Sequence, residues 1–400
     1  MGRMSQTQNA PSTGAASSRL DSFFSISKRG SSVGREVRGG LVTFFAMCYI
    51  IVLNPLILGT VPDSTGMYLG GGTEPNMPAV AAGTALIAAI CSIFMGAWAN
   101  FPLAMAAGLG LNAYLAYGVV SLPGMTWAGA MGLVLVEGVI ILLLVLTGFR
   151  KAVFLAVPQF LKTAIAVGMG LFIAFIGLIN ARFVTTGGGT PVQLGNSGSL
   201  IGWPTAVFVF GLILMILLWV RKVPGAILIA IIVATVLAIV LENTVGIGQF
   251  APATDADAGN PHGWSMNVPA LSSNAFALPD LGTLFQVDPI GGLRAIGVVG
   301  AIIVVFSLLL ADFFDTMGTM VAIGKEAGLV DENSDVENSQ RVLVADSVGA
   351  IMGGVGGVSS NTSFVESATG VGEGARTGLA TVVTGLCFLV AMFLLSLIHI

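Results

Sequence analysis

Ionisable side chains within apolar stretches are the residues of this chain that could do chemistry. Burying a charge costs free energy, so residues of this kind usually have a function. The segment ADFFDTMGTMVAIG contains Asp312, Asp315 and Thr319, and their spacings of three and four residues predict a shared helical face. We expect Asp315 to bind a substrate or a proton, with Thr319 beside it. Asp312 is expected to make a structural hydrogen bond between helices.

A further acid lies in an unusual stretch, Gly353–Arg376, which reads GGVGGVSSNTSFVESATGVGEGAR between two apolar runs. Irregular backbone of this kind is tolerated at membrane depth only where protein or a water-filled cavity satisfies it. We therefore expect a broken helix that lines a binding cavity, with Asn361 and Thr362 of its extended segment as substrate-binding residues and Glu366 as a ligand for substrate or proton. Ser363 and Glu366 also match the S-x-x-E capping box, in which Ser363 has the structural role of N-cap.

The first half of the chain has a counterpart in MAAGLGLNAYLAY, where Gly108 and Gly110 break a helix and Asn112 follows them. The Asn112 amide could cap a half-helix or offer a donor and an acceptor to a planar ligand, and both alternatives stay open. Tyr114 and Tyr117 are expected to be packing residues.

Two more acids, Glu137 and Asp346, lie in apolar stretches without local polar partners. Interhelical hydrogen bonds are the favoured interpretation of both, and Asp346 is expected to be structural. Glu137 is in addition a candidate for proton coupling.

Motifs for other chemistry are missing from the sequence. There is no Walker A pattern, HExxH or nucleophile elbow, so neither an ATP-driven pump nor a membrane hydrolase is expected. Cys48, Cys91 and Cys387 have unrelated spacings and are interpreted as small buried hydrophobic residues. We expect no catalytic residue, no metal and no cofactor, with a proton as the coupling ion.

Composition indicates the class of protein. Hydrophobic residues make up 55% of the chain and charged residues 9%, with a mean hydropathy of +0.93, whereas soluble domains carry about 25% charged residues. We expect an integral protein of the lipid bilayer, and the net charge of −4 gives no reason to expect a nucleic-acid partner. Residues Met1–Leu20 lack the apolar region of a signal peptide and are expected to be disordered.

A transmembrane helix needs about 20 apolar residues, and stretches of this kind recur along the chain. Seven elements are expected before a long polar loop, Glu242–Asp280, and four after it: Val37–Leu58, Ala79–Trp98, the interrupted Pro102–Val119, Trp127–Thr147, Phe160–Asn180, Thr205–Val220, Pro224–Leu241, Ala295–Ile323, Val342–Met352, the interrupted Gly353–Arg376 and Thr377–Leu395. Both halves follow the order helix, helix, broken element, helix, which is typical of transporters built from repeats.

Charge placement predicts an orientation. Four basic residues precede the first helix: Lys28, Arg29, Arg35 and Arg38. The loops Gly59–Pro78 and Glu242–Asp280 contain no Lys or Arg. The positive-inside rule therefore predicts a cytoplasmic N-terminus and external loops. An odd number of crossings in the first half makes the second repeat inverted.

Five motifs resemble the AzgA-like purine permeases of the nucleobase–ascorbate transporter fold. They occur in the family's order along nearly the whole chain: EVRGGLVTFFAMCYIIVLNPLIL (Glu36–Leu58), GLGLNAYLAY (Gly108–Tyr117), LKTAIAVGMGLFIAFIGL (Leu161–Leu178), FFDTMGTMVAIGKEAGL (Phe313–Leu329) and SSNTSFVESATGVGEGARTGL (Ser359–Leu379).

The resemblance implies a core domain and a gate domain, and uptake of adenine, guanine or hypoxanthine with a proton by an elevator-like movement. It implies a base held between Asp315 on the eighth helix and Glu366 after the tenth element's strand, with Thr319 and Asn112 lining the site. The family is expected to have a proline near Ala107, and alanine there would loosen the half-helix.

The expected fold class is an all-α polytopic membrane protein, a 7+7 inverted-repeat transporter with two discontinuous helices and a truncated second repeat. Its expected parts are a disordered cytoplasmic tail (1–34), a core domain (35–150 and 293–394), a gate domain (151–245), an external loop (246–292) and a tail (395–400). The last six residues, LSLIHI, match the translation of a transposon end used in sequencing libraries. We expect this tail to be artefactual and the second repeat to lack about three helices.

The function predicted from the sequence is secondary active uptake of purine nucleobases across the plasma membrane, with Asp315, Glu366 and Glu137 as candidate proton-coupling residues. The alternatives are a transporter of uracil, xanthine or an anion on the same fold, a channel, and a membrane protein that binds without transport. Whether the protein is a homodimer stays open.

Overall fold

The computed structural model describes residues 19–148, 181–187, 190–195, 198–223, 226–251, 259–265, 268–270, 278–330 and 336–393, with separate helical residues between 160 and 179. The expected helix Phe160–Asn180 therefore lies mostly outside the described residues. The tail 395–400 and residues 1–18 lie wholly outside them.

The described part of the chain is mostly helical. Its helices are α1 (Arg19–Phe24), α2 (Val33–Met47), α3 (Ile50–Leu58), α4 (Met77–Phe94), α5 (Leu109–Ala113), α6 (Trp127–Leu146), α7 (Trp203–Val220), α8 (Ala226–Val245), α9 (Gly291–Ala327), α10 (Ser339–Gly356), α11 (Ser367–Gly372) and α12 (Gly378–Ala391). The π-helical segments Met95–Ala99 and Tyr114–Val119 continue α4 and α5. Among the described residues, five helical spans are long and apolar enough to cross a membrane: Val33–Leu58, Met77–Ala99, Trp127–Leu146, Trp203–Val220 and Gly291–Ala327. The protein is a multi-pass membrane protein.

Two short antiparallel ladders correct the all-α expectation. Strand β1 (Met105–Ala107) pairs with β4 (Asn361–Ser363), and β2 (Val184–Gly187) forms a hairpin with β3 (Thr190–Leu194). The first ladder arises because two interrupted helices must satisfy their backbone inside the protein, where water is absent.

Capping side chains set several helix boundaries. The Asn76 Oδ1 atom accepts from the Ala79 N–H at 3.2 Å at the start of α4, and the Thr126 Oγ1 atom accepts from the Gly129 N–H at 3.1 Å at the start of α6. Helix α9 ends at Gly328, whose φ of 69° lies in the left-handed region that favours glycine.

The helices differ from their expected bounds at three places. The first span breaks between α2 and α3, at Cys48 and Tyr49. Helix α9 is kinked at Gly297, where φ is 70° and ψ is 174°. Helix α10 is longer than expected because its polar first turn and its glycine-rich end, which lie outside the apolar run, are also helical.

Residues 19–34, expected to belong to a disordered tail, are instead ordered. Phe24 and Ile26 are buried and pack against Leu379 of α12. The guanidinium of Arg29 donates to the carbonyl of Asn100 at 2.6 Å and to that of Arg376 at 3.1 Å. Apolar burial and these hydrogen bonds offset the entropy of ordering the segment.

Glycines allow the helices of the core to approach closely. A Cβ atom at Gly138 of α6 would lie 2.7 Å from the Ile351 nitrogen of α10, and one at Gly354 of α10 would lie 2.8 Å from the Leu135 nitrogen. Helices α2 to α6 and α9 to α12 pack around the β1–β4 ladder. Helices α7 and α8 pack on each other, and α8 also contacts α2.

Candidate functional site

The two interrupted elements meet in the β1–β4 ladder at the centre of the helices. Its pairs run from Met105 opposite Ser363 to Ala107 opposite Asn361. The strands are antiparallel, so the short helices that follow them, α5 and α11, leave the ladder at opposite ends. The two interrupted elements are predicted from the sequence to be counterparts in the two halves of the chain. In the structure their backbones are hydrogen-bonded to each other.

Glu366 immediately precedes α11 and bonds to a residue that is distant in sequence. The Tyr49 hydroxyl donates to Glu366 Oε1 at 2.5 Å. Tyr49 lies at the break between α2 and α3 and is buried, while Glu366 is half-buried. The carboxylate therefore has one oxygen engaged by a phenol.

The predicted capping box is wrong. Helix α11 begins at Ser367, with Glu366 at the N-cap position and no side-chain cap bond. Ser363 lies within β4 and is too far from the first turn to cap it. Its hydroxyl instead donates to Asp346 Oδ1 at 3.0 Å, because a buried carboxylate is a stronger acceptor than a neutral group.

Asp346 is the centre of a buried hydroxyl network. The Thr316 hydroxyl of α9 donates to Asp346 Oδ1 at 2.7 Å and lies 2.9 Å from the Thr362 hydroxyl of β4. Together with Ser363, these groups join α9, α10 and β4. These are interhelical hydrogen bonds of the kind expected for Asp346.

Asp315 and Thr319 do not share one environment. Asp312 and Thr319 are buried, whereas Asp315 is exposed. Residues seven apart on a helix align within about 20°, while residues three apart are offset by about 60°. Asp315 therefore lies at the edge of the buried face, near enough to Asp346 and Glu366 for their charges to act on it.

Asn112 belongs to a buried amide network. Its Nδ2 donates to Asn54 Oδ1 at 2.5 Å, and the Asn54 Nδ2 donates to Thr84 Oγ1 at 2.8 Å. The N-cap of α5 is Gly108, so the capping alternative for Asn112 is wrong. Its Oδ1 has no hydrogen-bond partner among the described residues and remains able to accept.

Glu137 lies in the middle of α6 and is fully buried. Asp312 of α9, Asp346 of α10 and Ser360 of the segment before β4 are near enough to interact with it. Carboxylates from α6, α9 and α10 therefore lie near one another, beside the segment that leads into β4.

Asn361 and Thr362 are placed away from the exposed side. Asn361 is buried beside Cys91 of α4 and packs against Gly349 of α10. Thr362 is buried against Thr316. The exposed edge next to the ladder instead carries Asp315, Val365 and the half-buried Glu366.

Helix α2 holds the segment that carries Glu366. A Cβ atom at Gly39 would lie 2.8 Å from the Gly370 carbonyl oxygen of α11. The buried Glu36 carboxylate accepts from the Arg376 N–H at 2.9 Å and from the Thr377 N–H at 3.2 Å. These contacts fix the distance between α2, which leads to Tyr49, and α11.

Sequence reasoning missed Tyr49, Asn54 and Thr316, each of which bonds to a predicted residue. Tyr49 lies in the middle of the run VTFFAMCYIIVLNP and Asn54 lies near its end, so a polar residue in an apolar run was the available signal. Thr316 directly follows Asp315, and a threonine within a helix gives no local signal of a buried carboxylate partner.

This arrangement can bind a planar molecule with N–H groups. Two carboxylates, Asp315 and Glu366, can accept hydrogen bonds from such groups. Neighbouring carboxylates can also share and release a proton.

Comparison with known proteins places these features in a family. Residues 34–400 match the Permease family, Xan_ur_permease. The guanine/hypoxanthine permease PbuG of Bacillus subtilis is 35% identical over 383 residues, covering 95% of this chain and 79% of PbuG. The adenine permease AdeP of Escherichia coli is 32% identical over 375 residues, covering 94% of this chain and 75% of AdeP.

Solved structures share the fold. The transmembrane domain of the cyanobacterium bicarbonate transporter BicA aligns with a TM-score of 0.55 at 18% identity, covering 92% of this chain and 86% of that one. SLC26A9 aligns with a TM-score of 0.52 at 11% identity, covering 98% and 62%. This likeness shows a mostly helical membrane transporter fold, and the family match along nearly the whole sequence, with relatives above 30% identity, shows that the chain belongs to the Permease family.

Proposed function

We propose that this protein takes up purine nucleobases, with hypoxanthine, guanine and adenine as substrates, across the plasma membrane. The observation that carries the proposal is the similarity to guanine/hypoxanthine and adenine permeases at 32–35% identity along 94–95% of the chain. The paired carboxylates beside the ladder suit such a ligand.

The chemistry of a neutral purine matches these groups. A purine has an apolar face and an edge of N–H donors and ring-nitrogen or carbonyl acceptors. Asp315 and Glu366 accept N–H groups from such an edge, and a bound analogue without these groups would leave the carboxylate oxygens that it covers unpaired. Discrimination by missing hydrogen bonds is stronger than discrimination by size.

Uptake is coupled to protons in this proposal. Asp315 and Glu366 are close enough for their charges to interact, so movement of the base can be linked to protonation of one of them. Glu137 is a further proton-coupling candidate, because it is buried beside Asp312 and Ser360.

Translocation occurs by an elevator-like movement within a 7+7 inverted repeat. The core domain (35–150 and 293–394) carries the site and moves against the gate domain (151–245). Two observations support this division: glycine-mediated packing joins the helices around the ladder, and α8 of the gate contacts the core at α2.

Anion transport is the second hypothesis for the function, since the BicA domain that shares this fold belongs to a bicarbonate transporter. The carboxylates of Asp315 and Glu366 argue against it, because two acids repel an anionic ligand. Glu366 also precedes α11 directly, so the positive end of that helix is balanced by the chain's own carboxylate.

Radiolabelled hypoxanthine uptake in cells without their own purine transport tests the proposal. We expect Glu366→Gln and Asp315→Asn each to abolish uptake, because an amide carries no charge, keeps one acceptor oxygen and cannot take up and release a proton. The matched controls are Glu373→Gln and Glu326→Gln. Glu373 lies at the other end of α11 from Glu366 and forms an ion pair with Arg38, and Glu326 is exposed near the end of α9.

The outcomes separate the alternatives. Wild-type uptake in both site variants would refute the assignment of these acids. Competition by adenine, guanine, xanthine and uracil defines the substrate class, and counterflow distinguishes a carrier from a channel. Hypoxanthine binding without any uptake identifies a binding-only protein.

A further inference from the structure

The hydrogen bond between Tyr49 and Glu366 joins two parts of the site that are 317 residues apart in sequence. Tyr49 follows the last turn of α2, at the point where the first membrane span breaks, and the side chain is 6% exposed. Its phenol O–H reaches Glu366 Oε1 at 2.5 Å, which is the length of a strong bond from a hydroxyl to a carboxylate.

Packing holds the phenol in this position. Tyr49 belongs to an apolar cluster with Ile50, Phe364 and Phe388, against which Ile227 and Ile231 of α8 pack. The α2–α11 contact at Gly39 and Gly370 fixes the two backbones that carry the bond. Because the ring has apolar neighbours on several elements, it has little freedom to follow a carboxylate that moves away.

A carboxylate has two oxygens, and the bond to Tyr49 makes them unequal. Glu366 Oε1 is engaged by the phenol, while no other described side chain is hydrogen-bonded to Oε2. A ligand with a single N–H on the relevant edge can bind Oε2 and leave the phenol in place. A ligand with two adjacent N–H groups, which would bridge both oxygens, competes with the phenol for Oε1.

We propose that Tyr49 is a specificity-determining residue of the site, which turns Glu366 into a one-oxygen acceptor and favours bases with one donor on that edge over bases with two. Hypoxanthine presents a single N–H on its six-membered ring, whereas guanine presents a ring N–H and an adjacent exocyclic amino group. The inference rests on the proposed function, since it assumes that Glu366 binds the purine edge.

The physical consequence concerns relative affinity. The Tyr49–Glu366 bond exists before and after hypoxanthine binds, so its removal changes hypoxanthine affinity little. Guanine must weaken that bond when it bridges both oxygens, so removal of the phenol O–H strengthens guanine binding. A role of Tyr49 in packing alone would alter both bases together.

Inhibition of radiolabelled hypoxanthine uptake by unlabelled guanine and unlabelled hypoxanthine tests the proposal in the full-length chain. In the wild type, hypoxanthine should inhibit at lower concentration than guanine. In Tyr49→Phe, the ratio of the guanine to the hypoxanthine inhibition constant should fall by about tenfold, which corresponds to about 1.4 kcal/mol. Both constants come from the same cells, so differences in protein abundance cancel in the ratio.

Tyr68→Phe is the matched control, because it removes one phenol hydroxyl from the loop between α3 and α4 and should leave the ratio unchanged. Tyr49→Leu removes the same donor but keeps an apolar side chain in the cluster, and it must show the same fall. It replaces Tyr49→Phe if that variant does not accumulate in the membrane.

Three results would overturn the proposal: a wild type that prefers guanine, a ratio unchanged in the Tyr49 variants, and a parallel loss of affinity for both bases. Each requires that the wild type takes up hypoxanthine. A wild type without any purine uptake refutes the proposed function itself, so the two failures are distinguishable.

Discussion

At the scale of single residues, hydroxyl groups serve the buried carboxylates of the core. Asp346 on α10 accepts from Thr316 on α9 and from Ser363 on β4, so three elements meet at one oxygen atom. A buried acceptor or donor left without its partner costs about 1–3 kcal/mol. The network therefore fixes β4 against the two helices behind it.

Thr316→Val should lower the free energy of unfolding by about 1–3 kcal/mol. The substitution keeps the shape of the side chain but removes the donor to Asp346 Oδ1 and the partner of the Thr362 hydroxyl. Thermal unfolding of the purified protein in detergent measures the change. Thr316→Ser keeps the hydroxyl, and equal melting temperatures for the two variants would contradict the role of the network.

The acids of the candidate site stand out in the sequence, but the hydrogen-bond partner of Glu366 does not. An acid in an apolar run is rare enough to indicate Asp315 or Glu366 without any structure. The partner of Glu366 is Tyr49, and no local pattern connects residues so far apart. For Ser363, a local motif predicted the wrong partner. The sequence matches a capping box, but the Ser363 hydroxyl donates to the buried carboxylate of Asp346 on another helix.

At the scale of elements, α11 is short and depends on α2 for its position. A Cβ atom at Gly370 would meet the side chain of Thr43 and would lie 2.5 Å from the Gly39 carbonyl oxygen. The two helices therefore touch through their backbones, and any larger residue must separate them. Separation would also stretch the Tyr49–Glu366 bond, which spans the same pair of elements.

Gly370→Val should reduce hypoxanthine uptake at least about tenfold, because a displacement of about 1 Å in a site is enough for a loss of this order. Gly372→Ala is the matched control, since it lies on the same helix and a Cβ atom there meets nothing within 4 Å. Uptake kinetics with membrane abundance measured in parallel check the prediction. Equal uptake by the two variants would show that the α2–α11 contact does not position Glu366.

The positions of glycines and the lengths of apolar runs made the helices and the interrupted elements predictable. The pairing of the strands and the places where helices break were not predictable in this way. The two interrupted elements were recognisable because glycine and polar side chains replace an apolar run. Their pairing as β1 and β4 depends on the fold bringing them together, and the break at Tyr49 has no glycine or proline at the break itself. Pro55 lies within α3, six residues further on.

At the scale of the whole molecule, charge separates two ends. At one end, the Gln286 amide donates to the Gly70 carbonyl at 3.1 Å, and the Asn76 amide donates to Asp280 at 3.0 Å. The loop between α3 and α4 and the segment before α9 therefore lie together. At the other end, Arg29 forms an ion pair with Glu337 at 2.9 Å, which joins the N-terminal segment to the loop before α10.

The basic end carries seven of the sixteen Lys and Arg residues of the chain. Lys28, Arg29, Arg35, Arg38, Lys325, Arg341 and Arg376 lie at or near this end. At the opposite end, Arg294 lies 3.5 Å from Asp288 in an ion pair. The positive-inside rule, which counts Lys and Arg near the helix ends, therefore predicts that the basic end faces the cytoplasm.

Cysteine labelling in intact cells should show this orientation. In a chain whose native cysteines, Cys48, Cys91 and Cys387, are replaced by serine, a single cysteine at the exposed Ser64 should react with a membrane-impermeant maleimide added outside. A cysteine at Ser22 or Glu326, both exposed near the basic end, should react only after permeabilisation. The reverse labelling pattern would place the N-terminus outside the cell and every loop on the opposite side of the membrane from the one predicted. Ser22 lies on α1 and Glu326 on α9. If cysteines at both positions react only after permeabilisation, the N-terminal segment and the end of α9 face the same side of the membrane. The Arg29–Glu337 ion pair requires this arrangement.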